Sequence, residues 1–140
     1  MSRENVALVR GLMEKWNETH QPDFSVYHED AQWDMGGWGF DVRGTFQGVE
    51  DWDRMLDQLW EVWEDVRVEP DEYIDAGDNV LFFARMYARR RDSGLEVSDA
   101  GFCVFTVRDG KVSRFALYRD RDAAFEYAGV KDADSQRLAT

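Results

Sequence analysis

The sequence contains one cysteine, two prolines and two histidines among its 140 residues. A single cysteine cannot form an internal disulfide bond, so the fold does not depend on covalent cross-links. Cys103, His20 and His28 lack the spacing of a metal-ligand set, and the sequence predicts no metal site. No apolar stretch approaches the ~20 residues that cross a bilayer, and the first residues lack the pattern of a secretory signal. We therefore expect a cytoplasmic protein.

Positive charge is also scarce, because 17 Lys and Arg residues face 29 Asp and Glu residues, for a formal net charge of −12. A negative field of this size repels phosphate backbones and anionic lipid surfaces, so we expect neither a nucleic-acid partner nor a membrane partner. The sequence lacks a P-loop, a dinucleotide-binding fingerprint and a metal-ligand cluster, and it therefore predicts no cofactor.

Large hydrophobic side chains are abundant, since hydrophobic residues make up 44% of the chain and aromatic residues 14%. Two segments repeat apolar residues at three- and four-residue steps, which is typical of amphipathic helices. The two apolar faces consist of Val6, Val9, Leu12, Met13 and Trp16 in the first helix, and of Val49, Trp52, Leu56, Leu59 and Trp63 in the second. A short strand over residues 31–35 separates the two helices.

From residue 66 onward the pattern changes to strands joined by Gly- and Asp-containing turns. The predicted strands are 66–75, 80–91, 95–107 and 111–119, followed by a helix over 122–128 that ends at Gly129. Helices followed by an antiparallel meander predict an α+β fold, with residues 1–130 as one domain and 131–140 as a loose tail. Both faces of the meander carry apolar residues, so we expect the helices to cover one face and a second copy of the chain, in a homodimer, to cover the other.

Hairpin register predicts which side chains face a pocket. The loop at 92–94 is predicted to contain three residues, which pairs Arg91 with Leu95, and the turn at 109–110 is predicted to contain two. Alternate residues of a strand share one face. The predicted pocket face consists of Phe83, Arg85, Tyr87, Asp99, Gly101, Cys103, Phe105, Ala116 and Tyr118. The predicted outer face consists of Phe82, Ala84, Met86, Ala100, Phe102, Val104, Phe115 and Leu117.

Arg85 and Asp99 are the candidate catalytic residues of this face. Asp99 could act as a general base and Arg85 could hold a carbonyl, enolate or carboxylate; the alternative is a structural ion pair between the two. The candidate ligand contacts are Trp33, Phe83, Tyr87, Gly101, Cys103, Phe105 and Tyr118. Asp34 lies next to Trp33 on the opposite strand face, and it precedes the glycine-rich stretch Gly36–Gly39 with Trp38 and Phe40, whose role the pattern leaves open.

Five short sequence segments, taken in order, resemble those of a known protein family. They are His28-Glu29-Asp30-Ala31-Gln32-Trp33, Val66-Arg67-Val68-Glu69-Pro70, the segment 73–80, the segment 105–112 and Tyr118-Arg119-Asp120. Over residues 4–129 the chain resembles the SnoaL-like branch of the nuclear transport factor 2-like superfamily, which includes polyketide cyclases, ketosteroid isomerase and limonene epoxide hydrolase. The resemblance implies a cone-shaped α+β barrel, a homodimer through the outer sheet face, and a small apolar or aromatic molecule inside the cone.

The catalytic positions of these relatives are only partly matched. The resemblance places Met35, Leu12 and Cys103 at the three isomerase positions, and none of these can act as the acid or base found there. Arg85 matches the inward arginine of the epoxide hydrolase, but Tyr87 replaces its aspartate. Three functions therefore stay open: a cofactor-free cyclase, isomerase or hydrolase acting by acid/base chemistry; a non-catalytic small-ligand-binding protein; and a dimeric accessory module with a vestigial pocket.

Overall fold

The computed structural model describes residues 2–35, 44–129 and 136–138. The helices are α1 (Ser2–Thr19), α2 (Gly48–Val62) and α3 (Arg121–Ala128), with one 3-10 turn at Phe24–Val26. The strands are β1 (Tyr27–Asp34), β2 (Thr45–Gln47), β3 (Trp63–Ala76), β4 (Asn79–Arg90), β5 (Glu96–Arg108), β6 (Lys111–Tyr118) and β7 (Gln136–Leu138). The predicted glycine-rich stretch Gly36–Gly39, together with Trp38 and Phe40, lies outside the described residues.

The strands form one curved, unclosed sheet in the order β2-β1-β6-β5-β4-β3-β7. The predicted α+β cone is confirmed. The sheet is not wholly antiparallel, however, because β1 lies parallel to β6. The short β7 pairs with the edge strand β3, so part of the tail that was expected to be loose forms a strand.

Helices α1 and α2 fill the concave side of the sheet, which we call the inner face. The predicted apolar face of α1 is buried, with Val6, Val9 and Leu12 no more than 7% exposed. The buried face of α2 differs from the predicted one at both ends. Val49 is 41% exposed, and Trp63 is the buried first residue of β3 rather than part of the helix. None of the described helices is apolar over a length that would span a membrane.

The register predicted for the β4–β5 hairpin is wrong by one residue. Arg90 N–H donates to the carbonyl oxygen of Leu95 at 2.8 Å, so the loop contains four residues instead of three. Consequently Ala84 pairs with Gly101 and Phe82 pairs with Cys103. Because a one-residue shift moves every side chain to the other face, the predicted faces of β4 are interchanged.

The register predicted for β5–β6 is correct at the turn and wrong beyond it. Arg108 pairs with Lys111 as expected, but a β-bulge follows between Thr106 and Val107. Past this irregularity Cys103 pairs with Leu117 instead of Ala116. The bulge therefore interchanges the predicted faces of β6 along most of its length.

Helix α3 covers part of the convex side of the sheet, which we call the outer face. Asp120 caps the helix by accepting a hydrogen bond from Ala123 N–H at 3.1 Å, and Gly129 ends it in the left-handed conformation at φ 73°. Its apolar side packs in a second cluster against Ile74, Leu81 and Val104. The chain itself thus supplies some of the covering layer that sequence analysis assigned to a second copy.

Candidate functional site

An apolar cavity lies between the inner face of the sheet and the two helices. The space open to the centre of a water-sized sphere is about 90 Å³, and all the empty space, including the open mouth, is about 780 Å³. The lining residues come from α1, α2, five strands and the segments next to β1. They are Leu12, Met13, Trp16, Pro22, Tyr27, Trp33, Met35, Trp52, Met55, Leu59, Val66, Val68, Met86, Cys103, Phe105 and Phe115. We call this space the cone cavity.

Aromatic rings form two groups in the wall. Trp33 of β1 and Trp52 of α2 stack with ring centroids 4.6 Å apart and an interplanar angle of 26°. Tyr27 lies 5.3 Å from the Trp33 ring, and Phe105 lies 4.7 Å from Phe115 across the sheet. Strand alternation and the buried face of α2 direct these rings inward, so the wall offers flat surfaces to a ligand.

Tyr27 and Cys103 are the ionisable groups that the described lining contains. Burial raises the pKa of both: desolvation acts alone on the Cys103 thiol, while a hydrogen bond with Trp33 opposes it at the Tyr27 hydroxyl. Both groups are therefore neutral at physiological pH. The buried indole nitrogen of Trp52 has no hydrogen-bond partner within the described part of the chain. The lining offers weak polar contacts and no charge.

Three of the predicted ligand contacts, Trp33, Cys103 and Phe105, line the cone cavity. Gly101 is buried on the inner face but does not border the cavity. The remaining contacts predicted on β4 and β6 are Phe83, Tyr87 and Tyr118, and the corrected register places all three on the outer face. Phe83 packs edge-on against Phe102 there, and Tyr118 belongs to the cluster around α3.

The predicted pair of Arg85 and Asp99 is not formed. Arg85 follows the same interchange as its neighbours on β4 and lies exposed on the outer face, whereas Asp99 pairs in register with the cavity-lining Met86. The ionic partner of Asp99 is Arg119, with two nitrogen–oxygen contacts of 3.0 and 3.1 Å, and this pairing raises the pKa of the arginine. Arg119 is 59% exposed, so the pair lies at the rim rather than in the cavity.

Asp34 and the arginines at the end of β4 have structural partners. Asp34 points away from Trp33, as alternation predicts, and forms an ion pair with Arg114 at 3.0 Å. Three consecutive arginines, residues 89–91, lie at the end of β4, and Arg89 and Arg91 both contact Glu64. Among the described residues no group of His, Cys, Asp and Glu side chains could hold a metal ion.

Sequence reasoning missed the part of the cavity that the helices provide. Met13 and Trp16 were assigned only to the buried face of the first helix, and Met55 and Leu59 belong to the same kind of stripe on α2. Hydrophobic periodicity identifies a buried face, but it does not distinguish side chains that touch another side chain from those that border a void. The four cavity methionines were a usable signal, because methionine is rare elsewhere in the chain.

The family of the chain follows from comparison with known proteins. A family model described as a SnoaL-like domain matches residues 9–115. The chain belongs to the SnoaL-like family. No protein with a curated description matches the sequence significantly.

Solved structures agree with this SnoaL-like assignment at the level of the fold. An NTF2-like protein from Burkholderia pseudomallei K96243 is 18% identical, with a TM-score of 0.73 over 93% of this chain and 100% of that chain. A protein from Jannaschia sp. CCS1 assigned as a SnoaL-like polyketide cyclase is 18% identical, with a TM-score of 0.67 over 93% and 94%. TerC, co-crystallised with polyporic acid, is 23% identical, with a TM-score of 0.64 over 91% and 97%.

Proposed function

We propose that this SnoaL-like protein binds a small, uncharged and largely apolar molecule in the cone cavity. The observation that carries the proposal is the chemistry of the lining, in which the described residues contribute aromatic, aliphatic and thioether groups and no charged side chain. An apolar ligand would replace water there and bury its surface at about 25 cal/mol per Å². An ionised ligand would lose its hydration without gaining a counter-charge.

The size of the expected affinity follows from the size of the ligand. Small ligands gain roughly 0.4 kcal/mol per non-hydrogen atom in an ordinary site, so a bicyclic alcohol with about 12 such atoms gains about 5 kcal/mol. This corresponds to a dissociation constant on the order of 0.2 mM. A carboxylate of the same shape is expected to bind at least about a hundredfold more weakly, since its desolvation costs several kcal/mol.

Acid/base catalysis in the cavity is the alternative function. It requires a general base near the ligand, and Asp99 lies next to the lining by strand register, because its pairing partner is Met86. Arg85, the second predicted catalytic residue, would have to act from the outer face. Tyr27 and Cys103 are neutral hydrogen-bonding groups rather than bases at physiological pH. These features favour binding over catalysis.

The relatives support a ligand in the cone. TerC was co-crystallised with polyporic acid, and the protein from Jannaschia sp. CCS1 is assigned as a polyketide cyclase. Both descriptions refer to organic molecules, and each structure aligns over more than nine tenths of this chain. We extend to this chain only the class of partner, a small organic molecule, because identities near 20% carry the fold and not the reaction.

Isothermal titration calorimetry with 2-naphthalenemethanol and with 2-naphthoate at pH 7 tests the binding proposal. We expect the neutral alcohol to bind and the carboxylate to bind at least a hundredfold more weakly. Equal or tighter binding of the carboxylate would contradict an uncharged cavity. Absence of binding by either compound at millimolar concentration would favour the accessory module. Product analysis after incubation with the aldehyde and the acetate ester that correspond to this alcohol separates binding from catalysis.

We also propose that two copies associate through the outer face outside α3. Phe83 and Tyr87 are only half-buried there, and Arg67 lies 5.3 Å above the Tyr87 ring. This face already carries Arg67 and Arg85, so Phe83→Arg adds a third positive charge that would be desolvated without a counter-charge, and it is expected to dissociate the dimer. Sedimentation velocity measures the mass of the wild type and of this variant. A monomeric wild type at micromolar concentration would refute the proposal.

A further inference from the structure

Methionines are concentrated around the cone cavity. The sequence contains five methionines among 140 residues, and four of the 16 lining residues are methionine, so the lining is enriched about sevenfold. Met13 comes from α1, Met35 follows β1, Met55 comes from α2 and Met86 comes from β4. The enrichment therefore arises from four separate places in the sequence that converge only in the folded chain.

The positions of these side chains distinguish them from ordinary core methionines. Met35 and Met55 are 7% and 2% exposed, whereas Met13 and Met86 are half-buried. All four border the same empty space. A methionine that fills a gap in a core has neighbours on every side, but a methionine at a void has one side free to change rotamer. Three rotatable bonds and an unbranched chain let each of these side chains follow the outline of a ligand.

The aromatic side chains of the wall are less free to adapt. Trp33 and Trp52 hold each other in a stack, and Phe105 and Phe115 are fixed across neighbouring strands. The cavity thus combines flat, rigid rings with flexible thioethers. Rings provide a surface for a planar ligand, and thioether sulfurs make favourable contacts with the edges of aromatic rings.

We infer that the cone cavity selects planar aromatic ligands as a class and accepts members of different outline, with the four methionines adjusting to each. This inference rests on the proposed function and specifies its ligand class. Flexible methionine surfaces are a recognised means of binding several partners with one site. A cavity lined with branched aliphatic side chains would instead fit one shape closely and reject others.

The experiment compares three planar phenols of different outline, 2-naphthol, 9-phenanthrol and 2-hydroxyfluorene, with the saturated decahydro-2-naphthol. Dissociation constants are measured by calorimetry for the wild type and for the double variant Met13→Leu, Met86→Leu, which removes two thioethers at nearly constant volume. Leu81→Met is the control, because Leu81 is fully buried in the cluster under α3, away from the cavity. Near-ultraviolet circular dichroism confirms that each variant is folded.

For the wild type we expect the three phenols to bind within about tenfold of one another, and 2-naphthol to bind about tenfold more tightly than its saturated analogue. In the double variant the aromatic preference should fall to about threefold, since sulfur–aromatic contacts are lost, and the spread among the phenols should widen beyond tenfold. The control should match the wild type.

Two results would overturn the inference while leaving the proposed function intact. One is a wild type that binds a single phenol and rejects the other two. The other is a folded double variant with the same aromatic preference and the same spread as the wild type. If none of the four compounds binds, the proposed function fails together with the inference.

Discussion

Substitution of Cys103 by leucine examines whether the cone cavity is empty space that a ligand uses. Cys103 lies on the central strand β5, is 1% exposed, and borders the cavity. Leucine adds about two carbon atoms to this side chain. Each buried methylene contributes about 0.8 kcal/mol, so the gain is at most about 1.6 kcal/mol, and imperfect fit should reduce it to about 1 kcal/mol.

The same substitution should weaken ligand binding. A leucine side chain in the cavity occupies volume that 2-naphthalenemethanol would take, and we expect its affinity to fall at least tenfold. Differential scanning calorimetry measures both effects, because a stabilisation of about 1 kcal/mol raises the Tm of a domain of this size by about 4 °C, and the ligand-induced shift should shrink.

Ala84→Leu provides the matched control for Cys103→Leu. Ala84 is also buried on the inner face, on the neighbouring strand, but it does not border the cavity. Adding a larger side chain to a closely packed position should destabilise the protein by about 1–3 kcal/mol. A loss of more than about 2 kcal/mol in Cys103→Leu would show that the space beside Cys103 is filled, and unchanged ligand binding would place the ligand elsewhere.

Further predictions concern pH and the polar residues. The Cys103 thiol keeps its proton longer in the folded than in the unfolded state because burial raises its pKa, and the pKa of Tyr73 is raised to about 12. The free energy of unfolding should therefore fall above about pH 9, the ordinary pKa of a thiol. The slope should be up to about 1.4 kcal/mol per pH unit for each group. Urea titrations of Cys103→Ala should lack the decrease that begins near pH 9. Arg85→Met should leave the affinity for 2-naphthalenemethanol within about twofold, and a larger loss would show that Arg85 reaches the ligand. Asp99→Asn should cost no more than about 1 kcal/mol in urea unfolding because its arginine partner is largely exposed. Asp120→Ala removes the cap of α3 and should cost about 1 kcal/mol, whereas an unchanged midpoint would refute its capping role.

The order and type of the main elements could be predicted from sequence, because helical and strand periodicities differ and the turns carry glycine. Trp33, Cys103 and Phe105 were correctly assigned to the cavity because the inward-facing side chains of β1 and β5 were predicted correctly. The faces of β4 and β6 were predicted wrongly because of two errors of one residue in the strand register. The loop after Arg90 has four residues instead of three, and the bulge at Thr106 adds a shift that no turn residue signals.

The helical half of the cavity could not be predicted for a different reason. A void is a property of how α1 and α2 sit over the sheet, and that distance depends on all the side chains between them. The α3 cluster was missed in a similar way, since the short helix was identified but its contact with the outer face depends on the path of the chain after Tyr118. Local pattern determines elements, whereas packing between distant elements determines the site.

The parallel pairing of β1 with β6 constrains how the chain can fold. Trp33 of β1 lies beside Phe115 of β6, so the two strands meet across about 80 residues of intervening sequence. During synthesis β1 leaves the ribosome long before β6. Until β6 emerges, the large apolar side chains of β1 have no neighbouring strand on that edge. Contacts of such sequence separation slow folding. We therefore expect the hairpins β3–β4 and β4–β5 to form early, and the cone to close late, when residues 111–118 have emerged and β1 can join them.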